Sequence, residues 1–226
     1  MPDLPQWLSQ TPVDALLEIA GVFFAALSGG LAGVRKHFDA FGVLVLAWAA
    51  GLGGGVLRDV LIGRTPPVGI AHWPFVATVL VAGVWIFFFH PSVERMRRTV
   101  VVLDAWALAF FVLLGTTIAL DFGAGTLASV MVGMLTGIGG GIVRDVLIDE
   151  VPLIFVDRQL YAIPAFLGAA TTAALWHASW LTVWTQAAVV LLVFGIRLAS
   201  LRLGWVVPSA GDGMSGRWGI RGRKHR

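Results

Sequence analysis

The sequence predicts an all-α integral membrane protein. It has seven transmembrane helices, arranged as two inverted three-helix repeats plus a seventh helix, with helices 2 and 5 kinked at glycine triplets. Three observations lead there. Apolar residues make up 58% of the 226 residues and charged residues only 13%, with a mean hydropathy of +0.85. A soluble domain carries about twice that charge. The apolar residues fall in continuous runs, each near the ~20 residues that a ~30 Å hydrocarbon core asks of a helix; barrel strands are shorter and alternate. Finally, "GLGGGVLRDVLI" at 51–62 returns as "GIGGGIVRDVLI" at 137–148.

The elements follow in order. Residues 1–13 have no basic stretch ahead of an apolar run, so they read as an extracytoplasmic segment, not a cleaved signal peptide. Spans at 14–34, 41–62 and 74–90 make the first repeat, 14–90. A basic loop at 91–99 carries Arg95, Arg97 and Arg98, a plausible contact for anionic lipid headgroups. Spans at 100–120, 124–148 and 160–176 make the second repeat, 100–180. The seventh helix, 182–203, lies within 181–205. The tail, 206–226, is Gly-rich and basic; it reads as a cytoplasmic end that meets the bilayer surface, not nucleic acid.

Seven spans put the termini on opposite sides. One side collects 14 of the 16 Lys and Arg residues and the other only Arg58 and Arg64. The positive-inside rule then places the C-terminus in the cytoplasm and the N-terminus outside, in a multi-pass inner (plasma) membrane protein. Trp7, Trp73, Trp176, Trp180 and Trp184 fall at the outer interface, and Trp85, Trp106 and Trp205 at the inner one, as an aromatic belt.

The repeat has a displacement of 86 residues. Ten of sixteen positions are identical between 51–66 and 137–152, and upstream Gly29 aligns with Gly115 and Glu18 with Asp104. Three spans per repeat force the copies into opposite orientations, a layout common among transporters and some channels. Gly53, Gly54 and Gly55 then lie near the bilayer midplane, as do Gly139, Gly140 and Gly141. Three helix-interior glycines cost about 1 kcal/mol each relative to Ala, which predicts a kink or an unwound turn. Broken backbone at that depth needs protein or a water-lined cavity beside it, so the two triplets predict a central gap.

Charges follow each triplet. Arg58 and Asp59, and Arg144 and Asp145, lie one turn beyond the glycines, where a charge costs at least about 2.5 kcal/mol. Adjacent helical positions point about 100° apart, so neither Arg is expected to pair with the Asp beside it. The repeat suggests Glu18–Arg58 and Asp104–Arg144 as structural pairs. Asp59 and Asp145 are left free to face a polar path, and Thr136 and Ser28 are further polar candidates along it. No two of the five histidines share a helix face as ligands, so no metal is expected. No cofactor is expected beyond permeant K+ or Na+.

"GLGGGVLRDVLIGRTP" and "GIGGGIVRDVLIDEVP", with "LSGGLAGVRKHFDAFGVLVLA" and "LDAWALAFFVLLG", resemble the prokaryotic trimeric intracellular cation (TRIC) channel family over residues 14–203. The resemblance implies a homotrimer with a pore in each subunit, conducting monovalent cations, mainly potassium, past kinked spans 2 and 5. Animal members carry a Lys-Glu-Val motif and bind phosphoinositides; this sequence has no Lys-Glu-Val. The same prokaryotic family is also labelled a glycine transporter, so a secondary transporter for glycine or another small amino acid is the alternative. An enzyme is not expected: "GLGGG" lacks the βαβ setting and the Lys of nucleotide-binding loops.

Overall fold

The structure is a computed structural model that describes residues 12–156 and 161–205. Trp7, Arg158 and the basic tail therefore lie outside the described residues. Among the described residues there are nine helices and no strand. They are α1 (Pro12–Arg35), α2 (Ala40–Leu61), α3 (Val68–Ala71), α4 (Trp73–Phe88), α5 (Val93–Asp121), α6 (Thr126–Leu147), α7 (Leu153–Val156), α8 (Ala162–His177) and α9 (Val183–Leu203).

Five of these helices, α1, α2, α5, α6 and α9, are long and apolar enough to cross a membrane. Helices α4 and α8 have 16 residues each. At 1.5 Å per residue that is about 24 Å, short of a full bilayer core. Each is preceded by a four-residue helix, α3 or α7, that hydropathy does not reveal. The basic stretch 91–99 differs from expectation: α5 already begins at Val93, so most of it is helix. Arg is a good helix former, and Met96 and Val100, four residues apart, bury one face of this added turn.

Helix ends are fixed by local chemistry. The Asp39 carboxylate accepts from the Gly42 N–H at 2.8 Å and caps α2. Thr182 and Thr185 form a capping box on α9, which ends at Gly204 with φ 65°. The repeat is visible in the turns. His37 (φ 59°) and Gly123 (φ 76°) occupy matching left-handed positions after α1 and α5, and Gly63 (φ 75°) and Asp149 (φ 55°) do so after α2 and α6. The same backbone turn is kept whether or not glycine supplies it.

The core divides in two. One cluster joins α1, α2, α4 and the start of α5; the other joins α5, α6, α8 and α9. They meet where α1 packs along α5. There Phe24 stacks on its own repeat mate, Phe110, at 6.0 Å. Trp106 belongs to this stack, 5.7 Å from Phe24 and 3.9 Å from Phe194 on α9. It is a packing residue, not the interfacial one expected. Trp73 and Trp184, by contrast, are among the most exposed large apolar residues, as a lipid-facing surface requires.

Candidate functional site

Helices α2 and α6 run through their glycine triplets without interruption, so the unwound turn read from the sequence is corrected. The reason is contact. A methyl on Gly54 would overlap the carbonyl oxygen of Thr136, and a methyl on Gly140 would overlap that of Ala50. Ala50 and Thr136 are themselves repeat mates, so the contact is reciprocal. Position 50 meets 140 and 54 meets 136, so the two helices cross antiparallel, as an inverted repeat demands. Gly53 and Gly139 also sit against the other helix: a Cβ on Gly53 would lie 3.8 Å from the Gly140 Cα, and one on Gly139 would lie 2.7 Å from Leu57 Cδ1 and 3.7 Å from the Gly54 Cα. The triplets therefore close on each other, as small residues do at membrane helix contacts, and leave no central gap. Gly55 and Gly141 differ: nothing lies within 4 Å of a Cβ at Gly55, whereas one at Gly141 would stand 3.0 Å from Asp104 Oδ1.

The charges one turn further on are all buried. Arg58 Nη1 donates to Glu18 Oε1 at 2.8 Å, and Arg144 Nη1 donates to Asp104 Oδ1 at 2.7 Å. Each Arg also bonds the Asp beside it, which the sequence argument had excluded: Arg58 Nε to Asp59 Oδ1 is 2.8 Å and Arg144 Nε to Asp145 Oδ1 is 2.7 Å. The 100° separation holds for Cβ atoms, but an arginine is long enough to curl its Nε back to its neighbour.

Asp59 and Asp145 are consequently not free. Asp59 Oδ2 accepts from the Val68 N–H at 2.8 Å and Asp145 Oδ2 from the Leu153 N–H at 2.9 Å. These are the first residues of α3 and α7, where an orphan donor and the helix dipole favour a carboxylate. Each aspartate thus ties the loop after its helix to its own arginine. A polar path receives neither as an unengaged carboxylate.

The two clusters part company in their surroundings. Ser28 Oγ accepts from Arg144 Nη1 at 2.6 Å and donates to the Val100 carbonyl at 3.2 Å. Tyr161 Oη donates to Asp104 Oδ2 at 2.7 Å, and the Arg197 guanidinium lies over the Tyr161 ring at 4.4 Å. At the matching positions of the other repeat stand Leu114 and Phe75, both buried and without a hydroxyl. Thr136 Oγ1 donates to its own i−4 carbonyl, Val132, at 2.6 Å, so it is the Thr136 carbonyl, not the hydroxyl, that meets α2. A cavity of about 10 Å³ remains among Ser28, Asp104, Gly140, Gly141 and Arg144, room for about one water.

Further charges close the two ends. Glu150 pairs with Arg35 and, at 3.0 Å, with Lys36. Its repeat mate, Arg64, lies 5.4 Å over the ring of Phe122, the repeat mate of Lys36. Partial burial alone would raise the Glu150 pKa, but hydrogen bonds from Lys36 and Arg35 hold it below the usual carboxylate range. Arg95, Arg97 and Arg98 are all exposed. Sequence reasoning missed Tyr161, Arg64 and Glu150. The displacement of 86 could have paired the last two, whereas nothing in the pattern marks the tyrosine.

Comparison with known proteins carries the repeat further. A family model described as Glycine transporter matches twice, at 15–91 and 101–177, and both limits of the second match lie 86 residues past the first. A UPF0126 membrane protein of Deinococcus radiodurans is 44% identical over 154 residues, 68% of this chain and 72% of that one. The UPF0126 inner membrane protein YadS of Escherichia coli K12 is 32% identical over 195 residues, 85% and 94% of the two chains. Among solved structures, the TRIC trimeric intracellular cation channel orthologue from Rhodobacter sphaeroides is 33% identical, with a TM-score of 0.81 over 86% of this chain and all of that one. A TRIC cation channel solved to explain conductance is 30% identical, with a TM-score of 0.76 over 86% and 95%. Given the doubled glycine and Arg-Asp motif and this likeness over most of its length, the chain belongs to the prokaryotic trimeric intracellular cation channel family, the family to which the description glycine transporter is also attached.

Proposed function

We propose that the chain is a monovalent cation channel, mainly for potassium, with a pore in each subunit of a homotrimer. The chain is a multi-pass membrane protein and, as a member of a channel family, not an enzyme. In the proposed arrangement α4 and α8 complete seven crossings in the inner membrane, with the N-terminus outside and the C-terminus in the cytoplasm. Arg95, Arg97 and Arg98 then face anionic headgroups.

The observation that carries the reading is the close crossing of α2 and α6 at Gly54 and Gly140, flanked by two buried charge clusters. In each cluster two carboxylates share one hydrogen-bonded guanidinium, Glu18 and Asp59 with Arg58, Asp104 and Asp145 with Arg144. By hydrogen bonds alone each set carries one net negative charge, with Arg64 near the first and Arg197 near the second; in the proposed reading the carboxylates lower the energy of a cation passing on either side of the crossing. In the proposed mechanism conduction requires α2 and α6 to part at Gly54 and Gly140. Parting exposes the Ala50 and Thr136 carbonyls, which replace water around the ion, with Ser28 beside them. Bending at the triplets is the cheapest way to part, since glycine resists it least.

The second reading, a carrier for glycine or another small amino acid, is favoured by the family model's description. It loses one support: the unbroken α2 and α6 offer no free helix N-termini at midplane for a carboxylate. Purified protein in a planar bilayer should give unitary currents that reverse near the potassium equilibrium potential under opposed K+ and Na+ gradients. Saturable glycine uptake into liposomes with a silent bilayer would replace the first reading by the second.

A further inference from the structure

Beyond the crossing, a pocket of about 270 Å³ opens beside Arg144, between the end of α1, the start of α5 and the loop into α7. Arg35, Arg97, Arg144, Asp145 and Glu150 line it, with Val101 on its wall. Its unused hydrogen-bonding capacity has one sign. Arg35 Nε and Arg144 Nη2 are buried and make no hydrogen bond. The Arg144 side chain is only 1% exposed, so an unused donor there is costly. In a planar guanidinium, Nε–H and one Nη2–H leave by the same edge. Arg144 Nε is taken up by Asp145, so Nη2 is the unused donor of that edge. The acceptors, by contrast, are engaged. Both Asp145 oxygens and both Glu150 oxygens already receive donors. Three arginines against two carboxylates leave one positive charge on the lining.

We propose that this pocket is a binding site for an oxygen acid carrying a single negative charge. A ligand there must accept hydrogen bonds, match one positive charge and be small. A soluble carboxylate has that chemistry, and so does the phosphodiester of an anionic lipid headgroup. Arg144 and Arg35 hold the oxygens from within, and exposed Arg97 at the rim gathers the anion from solution. The site stands independently of whether the chain conducts, because it is read from unused donors and not from the crossing.

The test is thermal melting of the full purified chain. Acetate is compared with chloride at equal ionic strength in neutral detergent, and phosphatidylglycerol with phosphatidylcholine in nanodiscs. Binding to the folded state raises Tm saturably. Arg97→Ala removes the rim charge and Val101→Phe fills the pocket without touching a charge; Arg202→Ala, exposed on α9, is the control. The expected result is a saturable rise in wild type and in Arg202→Ala, with the half-effect concentration at least tenfold higher in both pocket variants. A rise with acetate assigns a soluble ligand, and a rise confined to phosphatidylglycerol assigns the lipid. No rise with either probe, or a rise kept in either pocket variant, overturns the proposal.

Discussion

At the Arg58 end, the guanidinium is closed in by Glu18 and Asp59, and the neighbouring repeat positions are the apolar Phe75 and Leu114. At the Arg144 end, Tyr161 and Ser28 stand at those positions, and their hydroxyls extend the cluster to α5 and, through Arg197, to α9. Two copies of one motif have kept their charges and diverged around them. The first is a closed clasp of three side chains. The second is a network with members on α1, α5, α6 and the approach to α8, of the kind in which losing one bond alters the others. Any motion that separates the halves has more bonds to rearrange at the second end, which therefore sets the energy of opening in the proposed channel.

The strongest way to break the comparison acts on what the two ends share. Gly54→Ala and Gly140→Ala each push a methyl into a carbonyl oxygen of the facing helix. The helices must separate, at about 1–3 kcal/mol as for an overpacked core, and each variant should show a lower Tm and less folded protein on size exclusion. Gly55→Ala adds its methyl to open space and should raise stability by up to about 1 kcal/mol through helix propensity alone. Equal behaviour of all three would mean that the crossing is not the contact that holds α2 to α6.

The next test separates the ends. Tyr161→Phe removes a donor from the buried Asp104 carboxylate, a loss of about 1.5–3 kcal/mol for a bond to a charged group. The reverse change at the matching position, Phe75→Tyr, should also destabilise. Phe75 is buried and Glu18 is one methylene longer than its mate Asp104, so a hydroxyl added at position 75 is expected to meet less room than the one at position 161 has. Melting curves of both variants decide it: a neutral or stabilising Phe75→Tyr would show that the clasp has room for a hydroxyl and that the ends are equivalent. In bilayers, Tyr161→Phe should change the open fraction more than Phe75→Tyr does.

Which of these features could be read from the chain follows from how each is encoded. Helix positions were legible because hydropathy runs and a displacement of 86 are one-dimensional signals; α2 and α6 keep that displacement at both ends. The pairs Glu18–Arg58 and Asp104–Arg144 were legible for the same reason, one pair implying the other. The state of the glycines was not. Whether Gly54 lies beside a gap or a carbonyl depends on how closely α6 approaches, and sequence spacing carries no interhelical distance. The role of Asp59 was missed because its second partner is the Val68 backbone N–H, nine residues on in a helix too short to leave a periodic trace. Tyr161 was missed because one hydroxyl on an aromatic ring changes hydropathy little, yet it decides how the Arg144 end is bonded.

The smallest effect concerns the outermost contacts, where the ends differ in their response to pH. Glu150 pairs with Arg35 and Lys36, whereas Arg64 at the matching position sits over Phe122 and exchanges no proton in the acid range. Lys36 and Arg35 hold the folded-state pKa of Glu150 below its ordinary 4.5. A lowered carboxylate pKa adds stability above the unfolded value and loses it as pH falls through the folded one. The contribution should therefore be whole at pH 6 and fade below about pH 4.5. Because the pair is partly exposed, screening limits it to about 1 kcal/mol or less, a few degrees in Tm for a chain of this size. Other carboxylates also titrate there, so the comparison is between wild type and Glu150→Gln across pH 3.5–6. The difference in Tm should shrink toward the acid limit. A constant difference would mean that Glu150 acts through packing and not through charge. The two ends would then be alike in pH response, with the remaining contrast resting on Tyr161 and Ser28 alone.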